Sequence, residues 1–146
     1  MKNLILILFI ILNTSAFANH HLTKTTSSYS FEETIEKVKK QIEKMGINLI
    51  AEVPHSKAAK KSNLTLNNSH LLIFGNPKVG SLLMQSDIEV GIELPLKILI
   101  YENEDGAIIV AYSSPENLQK NYQLEDKKEV LNKMNGAMQQ IVAVIQ

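Results

Sequence analysis

The 146-residue chain has no cysteine, no tryptophan and no arginine. Without cysteine there is no disulfide, no thiol nucleophile, no zinc ribbon and no lipid-modified N-terminal cysteine. Without arginine no guanidinium fork can grip a phosphate or carboxylate through two parallel bonds. The 15 basic residues are all lysines, and 15 Asp and Glu balance them to a formal charge of zero. A nucleic-acid groove needs a basic stripe interleaved with stacking side chains. A neutral chain with four Tyr and four Phe offers neither. Long apolar runs are also missing. The longest, Leu4 to Leu12, is under half of the ~20 residues that a spanning helix requires.

That short run has a different meaning. Lys2 provides a positive start, Leu4–Leu12 an apolar centre, and Ala16-Phe17-Ala18 a small-residue cleavage site. Together they read as a secretory signal peptide over residues 1–18. Residues 19–23 are then a flexible mature terminus, and 24–146 a single domain. The expected location is outside the cytoplasm: the periplasm where the cell has an outer membrane, the medium otherwise. After cleavage no membrane span is expected.

Periodicity places the elements. Residues 24–30 are β-tolerant and read as an edge strand. Ser30 and Glu33 have the spacing of a capping box. Behind them Phe31, Ile35, Val38, Ile42 and Met45 form one helical stripe that Gly46 ends. Ile47 to Val53 reads as a strand with Ile47, Leu49, Ala51 and Val53 on one face, stopped by Pro54. Ser56 is placed to cap a short helix. Residues 62–69 are loop, His70–Phe74 a strand, and Val79 to Met84 a short helix. Residues 86–95 read as an irregular link. Leu96–Glu102 and Ala107–Tyr112 form a hairpin around Asn103-Glu104-Asp105-Gly106. Both of its faces are partly apolar, so the second face needs a cover or a partner subunit. Pro115, capped by Ser114, opens a short helix. Residues 126–145 form an amphipathic one. The expected fold is α+β: a small, mostly antiparallel sheet with helices packed on one face.

Several segments carry a family likeness in this order: Tyr29-Ser30-Phe31-Glu32-Glu33-Thr34, Pro54-His55-Ser56, Leu72-Ile73-Phe74-Gly75-Asn76-Pro77-Lys78, Glu93-Leu94-Pro95-Leu96-Lys97 and Tyr112. They resemble the bacterial family called domain of unknown function 302, over about residues 24–145. The resemblance implies a small α+β fold and a homodimer, and no established activity. Glu93 stands where the family's pattern usually has aspartate.

Three constellations could carry chemistry. In Gly75-Asn76-Pro77-Lys78-Val79-Gly80-Ser81 the glycines have the spacing of a nucleotide P-loop. That motif needs lysine beside the second glycine, and the lysine here is Lys78. What remains is either a tight turn with Pro77 in the first helical position, or a small-anion site at a helix start. His55, at a strand end, is either a structural histidine or an acid–base group. A ligand pocket, if formed, would gather His55, Asn76, Lys78 and Glu93. Finally, a cut after Ala18 would expose Asn19-His20-His21. Its free amine, two amide nitrogens and third-position imidazole suit Cu(II) or Ni(II).

The expected function is therefore an exported, homodimeric binding protein for a small molecule. The alternatives are an enzyme using His55 as acid–base with Lys78 stabilising an anion, and copper handling through the mature terminus. No Gly-x-Ser-x-Gly nucleophile and no helical histidine pair marks a reaction.

Overall fold

The computed structural model describes residues 22–146. Helix α1, Phe31–Lys44, starts on the capping box read from the sequence. The Glu33 amide donates to the Ser30 hydroxyl oxygen at 3.4 Å, and the Ser30 amide to the Glu33 carboxylate at 3.1 Å. These bonds satisfy two of the donors that a helix start leaves without an intrahelical partner. The helix buries Ile35, Val38 and Ile42, and Gly46 leaves it at φ +66°, where a side chain would be strained.

Five strands follow one antiparallel plan. They are β1 (Leu22–Thr26), β2 (Asn48–Val53), β3 (Ser69–Gly75), β4 (Leu96–Glu102) and β5 (Ile108–Ser113). The sheet order is β1-β5-β4-β3-β2. The helices between and after them are α2 (His55–Lys61), α3 (Pro77–Met84) and α4 (Lys128–Val142). One sheet face presents Leu72, Phe74, Ile98, Ile100, Val110 and Tyr112 to α1 and to the C-terminal half of α4, where Met138, Ile141 and Val142 complete the main core. A second cluster joins Leu83 of α3, Val90, Leu118, Leu124, and Leu131 and Met134 of α4. The expected α+β class, a sheet with helices on one face, is the observed architecture.

The local readings need five corrections. The first strand is Leu22–Thr26, not 24–30, because its register against β5 (Leu22 opposite Ser113, Thr26 opposite Ile109) decides its span. In β2 the single apolar face is broken. A register shift between Leu49 and Ala51 sets Leu49 opposite Phe74 but Ala51 opposite Ile73, on the other side of the sheet. One extra residue inverts the alternation beyond it. Ser56 does not cap α2: its hydroxyl accepts from the Ser69 amide at 3.3 Å, tying α2 to the start of β3. Ser114 precedes its 3₁₀ turn without a capping bond and donates instead to Asn135 of α4 at 2.8 Å. The supposed irregular link at 86–95 contains a 3₁₀ turn, Ile88–Ile92, whose Val90 is fully buried.

The edge strand β2 is pinned by charge. Lys39 of α1 meets the Glu52 carboxylate at 2.9 Å, and His70 of β3 meets its other oxygen at 2.9 Å. The Lys39 ammonium, and to a smaller extent His70, hold the Glu52 carboxyl below the usual carboxylate range against the opposing cost of partial burial. A carboxyl lowered in the folded state adds stability above its unfolded value and loses it as pH falls through the folded value. Glu52→Gln should therefore cost up to about 1 kcal/mol at pH 7, the scale of a partly exposed pair. The difference from wild type should vanish by about pH 3, below the ordinary range of a carboxylate. Urea unfolding at the two pH values measures this, and an equal difference at both would remove the ionic account.

Candidate functional site

The segment leaving β3 is built as a capped turn. Asn76 accepts the Lys78 amide on its side-chain oxygen at 3.0 Å, and its carbonyl accepts the amides of Val79 and Gly80, both at 3.0 Å. Pro77, the first residue of α3, has no amide hydrogen to satisfy. The donors that a helix start would offer to an anion are thus already engaged. The tight-turn reading of Gly75–Ser81 holds, and the small-anion site at this helix start does not form.

Behind this turn lies a cavity of about 420 Å³. Its walls are Phe74 and Gly75 at the end of β3, Asn76, Pro77, Val79, Gly80, Ser81 and Met84 from the turn and α3, Gly91 and Leu94 to Leu96 before and into β4, and Lys133, Met134, Ala137 and Met138 on α4, with Ile47 and Ile50 at the β2 side. Two of the lining glycines mark where the walls close tightly. A Cβ on Gly75 would stand 3.3 Å from Pro95 Cβ, and one on Gly91 would stand 3.0 Å from Met84 Cε. A side chain there would press on its neighbour and force it to shift by a few tenths of an ångström. Gly80 leaves open the space in front of Leu94. Three methionines add flexible, polarizable walls. The Leu94–Pro95 peptide is cis.

The four residues expected to share a pocket do not come together. Asn76 alone lines the cavity. Lys78 is exposed on α3 and outside its wall. His55 opens α2, just beyond the Val53 end of β2, whereas Asn76 follows Gly75, which pairs with Asn48 at the other end of the same strand. Five strand steps, about 16 Å, separate those ends. His55 and Lys78 therefore stand near opposite ends of β2. Glu93 borders a second hollow of about 250 Å³, with Lys97, Leu99 and Ala111. There its carboxylate accepts from the Tyr122 hydroxyl at 3.3 Å and its carbonyl from the Lys97 ammonium at 3.0 Å. Partial burial, and then the Glu93 carboxylate, push the Tyr122 hydroxyl above its usual range, so it stays a donor.

Among the described residues no group of three or more His, Asp or Glu is arranged to hold a metal. The Asn19-His20-His21 copper or nickel motif and the signal peptide lie outside those residues. Sequence reasoning missed Lys133, Leu94 and the cavity-facing role of the methionines. Met84, Met134 and Met138 belong to apolar helical stripes, and such a stripe looks the same in sequence whether it meets side chains or space.

The face of the sheet opposite α1 and α4 carries Leu71, Ile73, Leu99, Tyr101, Ile109 and Ala111, of which only Ala111 is buried. The others are half-buried and belong to neither apolar cluster.

Comparison with known proteins fits this architecture. A crystal structure of an uncharacterized conserved DUF302 protein from Bacillus stearothermophilus superposes with a TM-score of 0.69 over 86% of this chain and 96% of that one, at 16% identity. Proteins from Brucella suis biovar 1 (strain 1330) and Brucella abortus biovar 1 (strain 9-941), each named fluoride-specific ion channel FluC 1, are 35% identical to it over 103 residues. That stretch is 70% of this chain but only 41% and 38% of theirs, so the chain spans about two fifths of these relatives. The family model described as "Domain of unknown function DUF302" matches residues 23–141, and the chain belongs to that family.

Proposed function

We propose that the chain is an exported small-molecule-binding protein whose ligand occupies the cavity between α3, α4 and the end of β3. The observation that carries this reading is the cavity itself. Its volume of about 420 Å³ falls within the ~300–1,000 Å³ of small-molecule sites, and its walls are apolar with few polar groups, as such sites are. Export rests on the pattern of residues 1–18. Binding is favoured over catalysis because His55 and Lys78 are far apart and no other acid–base pair lines the cavity. The channel activity in the relatives' names belongs to proteins that this chain matches over about two fifths of their length, and it is not carried over.

The test is titration with N-phenyl-1-naphthylamine, a neutral apolar dye that brightens when it leaves water. Saturable emission with one dye per chain is the expected result. A purely linear response would end the reading.

A homodimer through the second sheet face is the accompanying proposal. Half-buried Leu71, Ile73, Leu99, Tyr101 and Ile109 form a contiguous apolar area there, side by side on three neighbouring strands. Light scattering should give twice the chain mass for wild type and the single mass for Leu99→Lys. A wild-type monomer would refute it.

A further inference from the structure

We infer that the cavity selects an amphipathic anion, an apolar body ending in a carboxylate-type head, and that Lys133 of α4 recognises the head. This rests on the cavity being a ligand site. Among the residues that line it Lys133 is the one charged side chain, and no carboxylate shares the wall. It is exposed, and it makes no ion pair among the described residues. Its place on α4 is one helical turn from Ala137 and beside Met134, both in the wall. A lysine stem covers apolar surface while its ammonium stays in water, so this residue sets its charge at the rim of an otherwise apolar space. Asn76 and Ser81 are the other polar side chains in the wall. Asn76 is committed to the Lys78 amide through its oxygen, which leaves its NH₂ group as a donor. A neutral apolar ligand would gain nothing from this cation, and a cationic one would be repelled by it.

The experiment is displacement of bound N-phenyl-1-naphthylamine at low ionic strength by decanoate, 1-decanol and decylammonium, which share one apolar chain and differ in head charge. Wild type should prefer decanoate over decanol by about five-fold, the scale of an ion pair at a wet rim. High salt should erase that preference. Lys133→Gln should bring decanoate to the level of decanol and leave decanol unchanged. Lys133→Glu should reverse the order in favour of decylammonium. The unchanged decanol affinity shows that each variant is folded. Equal displacement by all three on wild type, or a decanoate preference that survives Lys133→Gln, would overturn the inference while the cavity remains a ligand site. Failure of all three to displace dye, or of dye to bind, would overturn the cavity reading itself.

Discussion

Phe74→Ala lowers the stability of the folded chain by about 3–5 kcal/mol, the range for deleting a buried phenyl ring. Phe74 is 1% exposed. It sits on β3 between Leu49 of β2 and Leu96 of β4, and faces the side chains of α1 and α4. It is also a wall of the cavity. Neighbours cannot readily close the space, because the sheet register on both sides is fixed by backbone bonds. Small domains have only about 5–15 kcal/mol in total, so the loss is a large share. The melting temperature should fall by about 10–20 °C. Ile73, the adjacent residue, points to the other face and is half-buried. Ile73→Ala should cost less, about 1 kcal/mol, in dilute protein. If both substitutions cost the same, and the Ile73 effect grows with protein concentration, the second face is covered in solution by another copy. If both cost the same at every concentration, the assignment of faces fails.

That pair of neighbours also shows what the sequence could reveal. The compact apolar run His70–Phe74 marks a strand but not which side of it meets helices, because both sides are apolar. The helical stripe of Phe31, Ile35, Val38 and Ile42, with its Ser30–Glu33 cap, was legible since every partner lies within a few residues. The hairpin was legible for the same reason. Gly106 takes φ +79°, and the Asn103 side chain accepts the Ala107 amide at 2.8 Å. What escaped depends on distant partners. The span of β1 is set by β5, and the inverted alternation in β2 by an extra residue opposite β3. Val90 and Leu124 are fully buried, yet they stand in segments without periodicity. They are buried because Asp87 accepts the Gln123 amide at 3.0 Å and Ser86 donates to Asp126 at 3.0 Å, closing one segment over the other. Of the site, Asn76 was found because a Gly-Asn-Pro turn is a local signal. Lys133 was not, since one lysine on a helix has no pattern of its own. His55 was drawn in by its place at a strand end, and antiparallel pairing puts that end on the far side of the sheet.

Gly80→Phe should sharply weaken dye binding while leaving the fold intact. Gly80 lies inside α3 and forms part of the cavity wall. A Cβ there would meet Leu94 Cδ1 at 3.6 Å, an ordinary contact, so the first atom of any side chain is accommodated. Replacing a helical glycine removes a propensity cost of about 0.5 kcal/mol against phenylalanine. Seating the ring on apolar walls adds about 1.5–3 kcal/mol of burial, against about 1–3 kcal/mol for crowding. The balance is near zero, so the melting temperature should move by only a few degrees. The ring would take up much of the space that a ligand needs, and affinity for N-phenyl-1-naphthylamine should fall by about 30-fold or more, roughly 2 kcal/mol of lost contact. Gly80→Ala separates filling from folding. It should be more stable than wild type by about 0.5–1 kcal/mol and still bind, because a methyl group takes little of the cavity. If the phenylalanine variant melts like wild type and binds dye as tightly, the dye sits elsewhere. The second hollow beside Glu93 and Lys97 would then be the place to look, with Leu99→Phe as the matching block. If Gly80→Phe fails to fold, Gly80→Leu repeats the test with a smaller side chain, and undiminished binding there would equally exclude this cavity as the site.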